Sequence, residues 1–168
     1  MAMDLRDYFL LRCSDTLVME RDIWQMNNLM TREVEDLRLK EILQRNSIPT
    51  RQQISNLEQV VDGLGGFAGP EENPVTQGMI RAHRLFIELI PPQYLIDIHD
   101  ALEATKIENM EIAAYNGLIN LARLLGEDVF VPMLQQNLAW EERMRKREES
   151  ELPSLLEDLT GKHRRKAA

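Results

Sequence analysis

The stretch Ile98–Gly126, IHDALEATKIENMEIAAYNGLINLARLLG, decides how the chain folds. Alternating steps of three and four from Ile98 reach Ala101, Thr105, Glu108, Ile112, Tyr115, Ile119 and Ala122, which is one face of a long helix. Pro91-Pro92 precedes it and Gly126 stops it.

The same period recurs on both sides. From Leu5 to about Met30, the residues Phe9, Cys13, Thr16, Glu20, Ile23, Asn27 and Met30 form one stripe of a first helix. A second segment from near Glu33 carries Leu37, Leu39, Ile42, Leu43, Ile54, Leu57, Val60, Val61 and Leu64, but Asn46-Ser47-Ile48-Pro49 interrupts it. A proline inside a helix removes a hydrogen bond and clashes with the preceding turn, so this helix either kinks there or restarts with Ser47 as N-cap. Glycine, proline and asparagine between Gly63 and Pro74 mark a loop, and a short helix is expected from Thr76 to Leu89. A last helix, from about Val129 to Glu149, rests on Leu134, Leu138, Glu141, Arg145, Glu148 and Leu152, with Pro153 marking its end. The pattern predicts an all-α protein: an antiparallel four-helix bundle with a short extra helix in the connection between the second and third long helices.

Composition agrees. The 168 residues, 43 % hydrophobic, suit one domain, taken here as residues 1–160, and only 5 % are aromatic. Lys162-His163-Arg164-Arg165-Lys166 lies in a tail, residues 161–168, expected to be disordered and given no function. Twenty Lys and Arg against 28 Asp and Glu leave a net charge of −8, which opposes binding to nucleic acid or to an anionic membrane. No apolar run approaches the roughly 20 residues that span a bilayer. The lone Cys13 cannot form an internal disulfide, and acidic residues crowd the first thirty positions, so a cytoplasmic location is expected.

Three stripes carry a carboxylate in mid-helix: Glu20 on the first, Glu108 with Glu111 one turn on, and Glu141 on the last. Isolated buried carboxylates each cost several kcal/mol, so a cluster implies a metal, cationic side chains or protonation. The competing reading puts the helix phases off by one residue and the glutamates on solvated flanks.

Ser14-Asp15-Thr16 with Met19-Glu20, Gln53-Ile54 with Gln59-Val60-Val61, and above all Glu108-Asn109-Met110-Glu111-Ile112-Ala113-Ala114-Tyr115 with Leu121-Ala122 and Leu125-Gly126 carry a resemblance. On these residues the chain resembles the YciE/YciF family of ferritin-like bacterial proteins, over most of Leu5 to Leu152. The resemblance implies a stress-associated four-helix bundle whose biochemical activity is unassigned. Ferritin-like dimetal sites take one Glu from each of two helices and a Glu-x-x-His pair from each of the other two. By that resemblance Glu20, Glu108, Glu111 and Glu141 match ligand positions, as a vestigial or low-affinity metal site. The second helix's Glu-x-x-His falls on Ile48 and Arg51, and the acidic position one turn beyond Glu141 is Arg145. Neither an alkyl chain nor a guanidinium can ligate a metal. The resulting expectation is that Arg51 and Arg145 pair with the four glutamates in a buried network, about +2 of charge standing where two metal ions would bring about +4.

His83, His99 and His163 show no metal-ligand spacing and are read as surface or loop histidines. Cys13 is read as a small core residue and Tyr115 as a core aromatic with one satisfied hydroxyl. Met19, Met26, Met30, Met110, Met133 and Met144 are read as gap-fillers of the bundle. Phe67, Leu85, Phe86 and Ile90 either cap one end of the bundle or form an association surface; a homodimer is the expected assembly. The function expected first is non-catalytic and stress-associated, with no cofactor. The alternative is a dimetal oxidase or peroxide scavenger using iron or manganese on the four glutamates, alone or with Asp15 or Glu148.

Overall fold

The computed structural model describes residues 3–166, with side chains as far as residue 161. Five helices follow one another: α1 (Leu5–Glu33), α2 (Leu37–Leu64), α3 (Pro74–Glu88), α4 (Gln93–Leu125) and α5 (Val131–Lys166), the last entered through a 3-10 turn at Asp128–Phe130. Among the described residues there is no strand, and no helix is long and apolar enough to cross a membrane.

Local chemistry starts and stops these helices. Asp4 accepts from the Asp7 amide while the Asp7 carboxylate accepts from the Asp4 amide, a capping box that opens α1. Asp36 caps α2 and Asn73 caps α3, where Pro74 stands at the first helical position. Gly126 ends α4 with φ 73, a left-handed conformation that costs glycine nothing.

α1 packs on α2 and α4, and α5 packs on the same two helices, so each long helix has two long neighbours. Phe9, Cys13 and Leu17 of α1 meet Leu57, Val60 and Leu64 of α2, Tyr115, Leu118 and Ile119 of α4 and Leu134 of α5 in one apolar cluster. A second cluster joins Ile23, Met26 and Met30 to Leu39, Ile42 and Leu43, Ala101, Ala104 and Ile107, and Leu155 and Leu159. Numbers that rise along α1 fall along its neighbours, so adjacent helices are antiparallel. α3 is the crossover. It runs along the outside of α1: Asn73 bonds Asp15, Thr76 bonds Asp22, and His83 meets Glu33.

One open alternative is decided and one boundary differs from the sequence expectation. α2 does not restart at Ser47 but runs unbroken through Pro49, and Ser47 Oγ donates to the Leu43 carbonyl within the helix. α5 runs through Pro153, beyond the expected end. The reason is the same in both: apolar residues before and after each proline insert into the core, as Leu43 and Leu57 do around Pro49 and Leu134 and Leu155 do around Pro153. Packing at both ends outweighs the roughly 3 kcal/mol of a helix-interior proline. The backbone of α5 continues past Gly161 to Lys166. The side chains from 162 onward, and the expectation of a disordered tail as it concerns residues 167–168, lie outside the described residues.

Candidate functional site

Between the two apolar clusters lies a polar layer. All seven residues of the α1 stripe are buried, Glu20 at 0 % exposure among them, and Glu108, Glu111 and Glu141 are buried too. The four glutamates therefore face inward, and the solvated-flank reading fails. One oxygen from each of Glu20, Glu111 and Glu141 lies within 4.8 Å of the others. A cavity of about 10 Å³, room for one water-sized sphere, opens among Asn46, Thr50, Glu108, Glu111, Glu141 and Met144.

The two arginines do not enter this layer, which corrects the expected network. Arg51 is exposed and its guanidinium stands 5.8 Å from the Trp24 ring centroid, while Arg145 pairs with Glu149 at 2.7 Å on the outer side of α5. Ile48 is 76 % exposed. On α5 the inward face runs through Leu134, Asn137, Glu141, Met144 and Glu148, which leaves Arg145 one residue off it. For Arg51 the physical cause is a phase of α2 two residues away from the one assumed. Steps of four and three along α2 give Leu39, Leu43, Asn46, Thr50, Gln53, Leu57, Val60 and Leu64, every one of them buried. The α2 residues that face the carboxylates are thus Thr50 and Gln53, spaced three apart, with Asn46 one turn earlier. Sequence reasoning missed them, and Asn137 of α5 as well, although the stripe walk that found Glu20 finds the three on α2.

Neutral donors hold the carboxylates. Gln53 Nε2 donates to Glu141 Oε1, and the Tyr115 hydroxyl donates to Glu20 Oε1. Asn137 Nδ2 donates to that hydroxyl at 3.0 Å and to the Gln53 carbonyl at 3.1 Å, and its own oxygen accepts from Asn56 at 2.7 Å. Asn46 Nδ2 bridges Glu108 and Glu148. Among the described residues no ion pair reaches Glu20, Glu108, Glu111, Glu141 or Glu148. The Oε2 atoms of Glu20, Glu108 and Glu141 meet no N–H or O–H donor.

Burial without a cation favours the neutral acids. Burial lifts Glu20 to about 7, against hydrogen bonds from Tyr115 and Glu111 that pull it down. Burial, then the charge of Glu111, lifts Glu141 to about 10. Glu108 is pushed up to about 12 by burial and by its contact with Glu141, and Glu111 rises through burial and the charges of Glu20 and Glu108. Glu148, at the edge of the layer, rises to about 7 through burial. Once protons are shared, one carboxyl donates to the next and the orphaned oxygens acquire partners.

Tyr115 is fully buried with its hydroxyl satisfied, and Cys13 is a buried core thiol that burial pushes up to about 12, both as the stripes imply. His83 is not a surface histidine: it is 1 % exposed, turned inward from α3.

A bundle of four antiparallel helices with carboxylates layered across its middle is the ferritin-like arrangement. The chain belongs to the family described as a domain of unknown function, DUF892, whose model matches residues 4–160. Among solved structures it resembles YcfI of Rhodopseudomonas palustris, a proposed structural protein, with 26 % identity, a TM-score of 0.80, and 87 % of this chain and 93 % of that one covered. It also resembles the stress protein YciF of E. coli (22 % identity, TM-score 0.83, 93 % and 99 % covered). A third relative in fold is the protein XCC3681 of Xanthomonas campestris (19 %, TM-score 0.67, 92 % and 98 %). No curated protein matches the chain.

Proposed function

We propose that this chain is a ferritin-like bundle protein with a non-catalytic, stress-associated role, in which the carboxylate layer of a dimetal site persists without its imidazole half. The observation that carries this reading is the α2 face, where Thr50 and Gln53 occupy the i, i+3 pair that a Glu-x-x-His motif would fill. The dinuclear His and carboxylate donor set does not fit these residues. The layer is neutralised by protons shared among Glu20, Glu108, Glu111 and Glu141, with Gln53, Asn46 and Tyr115 as neutral donors, not by Arg51 and Arg145. The stress association draws on the description of the E. coli neighbour, and a survival assay of a deletion strain under acid, oxidative and osmotic challenge tests it.

A second reading is favoured by the free Oε2 atoms of Glu20, Glu108 and Glu141: one hard divalent cation, iron or manganese, held by oxygen donors alone. Elemental mass spectrometry on protein purified without chelator or nickel resin separates the two, with Glu20→Ala as control. The proton-neutralised reading expects iron and manganese well below one ion per chain, unchanged in the variant, and no consumption of oxygen or peroxide after Fe²⁺ is added. About two ions per chain, lost in Glu20→Ala and accompanied by turnover, overturn it. One ion per chain without turnover favours the cation.

The same reading places the chain in a homodimer, using the exposed Leu85 and Ile90 of the α3 region, with no nucleic-acid or membrane partner. Light scattering at micromolar concentration is expected to give twice the 19.5 kDa chain mass, and a monomer overturns that part.

A further inference from the structure

A second cluster lies two turns from the glutamate layer, where α3 crosses α1 and α4. Asp100 precedes Glu108 by eight residues, about 12 Å along α4. It is 0 % exposed and neither carboxylate oxygen has a donor. His83 reaches it from α3 and His99 adjoins it on α4. One ligand atom from each of His83, His99 and Asp100 lies within 4.8 Å of the other two.

We infer that His83, His99 and Asp100 form a binding site for a zinc-like divalent transition metal, with Glu33 orienting His83 from behind. Four observations converge on it. First, His83 Nε2 stands 2.7 Å from Glu33 Oε2, so Glu33 fixes the ring and leaves Nδ1 as the nitrogen directed into the cluster. Second, Nδ1 has no hydrogen-bond partner and points at Asp100 Oδ1, 3.4 Å away. Two ligands on zinc bonds of about 2.0–2.1 Å at the tetrahedral angle are separated by about 3.4 Å, so this pair already spans one edge of a coordination tetrahedron. Third, His99 Nε2 is buried and unpartnered, and its ring is held by stacking on Phe86 at 4.1 Å and on His83 at 5.4 Å. Fourth, a carboxylate behind a ligating histidine is the usual outer partner of such sites, and Glu33 occupies that place.

The acidic side chains of Glu33, Asp97 and Glu103 surround Asp100 and add negative charge there. Two imidazoles and one carboxylate leave a fourth position open to water, and the partly exposed His99 and Glu33 provide the way in.

The test uses the full chain, stripped with chelator and titrated with Zn²⁺ against a competing indicator. The host is the Glu20→Gln/Glu141→Gln double variant, so that the glutamate layer does not contribute and failure there is distinguishable from failure here. One Zn²⁺ per chain is expected, weakened 100-fold or more by His99→Ala and about 10- to 100-fold by Glu33→Gln. Circular dichroism checks that each variant is folded. Independently of any variant, long-range ¹H–¹⁵N spectra of the parent should show the Nδ1 resonance of His83 moving on addition of zinc. An unmoved His83 signal, or zinc binding unchanged in a folded His99→Ala, overturns the site.

Discussion

Replacing Glu141 by glutamine should stabilise this protein at neutral pH. Glu141 is fully buried, and its pKa is lifted from the ordinary 4.5 to about 10, by burial and then by the charge of Glu111. At pH 7 the folded protein holds it as the neutral acid while the unfolded chain ionises it, so folding takes up a proton. Between pH 4.5 and 7, at about 1.4 kcal/mol per pH unit, that uptake costs about 3 kcal/mol. The sign follows from a folded pKa above the unfolded one: the stability is fully present below pH 4.5 and is lost as pH rises toward 10. Glutamine has the shape of the protonated acid and carries no such cost. In EDTA, Glu141→Gln should therefore exceed the parent by about 3 kcal/mol at pH 7, or roughly 6–12 °C in melting temperature, and by less than about 1 kcal/mol at pH 5. Urea denaturation followed by circular dichroism at pH 5, 6, 7 and 8 measures it. A variant less stable than the parent at pH 7 in EDTA, or one whose stability falls with pH as steeply as the parent's, would refute the protonated layer.

Two further outcomes follow from the same geometry. Arg51→Ala and Arg145→Ala should each change stability by less than about 1 kcal/mol, because Arg51 lies over Trp24 and Arg145 pairs with Glu149 in contact with solvent; thermal melts that drop by several kcal/mol would return the arginines to the carboxylates. Tyr115→Phe should cost about 1–3 kcal/mol, since it strips Glu20 of its donor and Asn137 of its acceptor; a variant as stable as the parent would mean that the hydroxyl contributes nothing to the layer.

Hydrophobic period alone placed most of the architecture. A stripe every three or four residues defines a helix whatever surrounds it, so Phe9 to Met30 and Ile98 to Ala122 could be read as core faces, and Glu20, Glu108, Glu111 and Glu141 as inward carboxylates. The same arithmetic contains Asn46, Thr50 and Gln53 on α2. Their phase was obscured because the motif correspondence pointed to Ile48 and Arg51, and because Pro49 suggested a break that would have reset it.

What pattern cannot supply is which side chain meets which across helices. Whether α2 and α5 survive their prolines depends on Leu57 and Leu155 finding the core, a tertiary gain larger than the local penalty. The charge state of the carboxylates depends on the absence of any ion pair within the layer among the described residues, and Arg51, two residues off phase on α2, points outward however acidic the interior. The meeting of His83 with Asp100 shows this most plainly. They stand seventeen positions apart with a Pro-Pro break between them, no sequence spacing marks them as partners, and only the course of α3 along α1 brings the imidazole to the carboxylate. Local periodicity is written in the chain because side-chain direction repeats with the helix, whereas contact between helices is decided by how the finished faces pack.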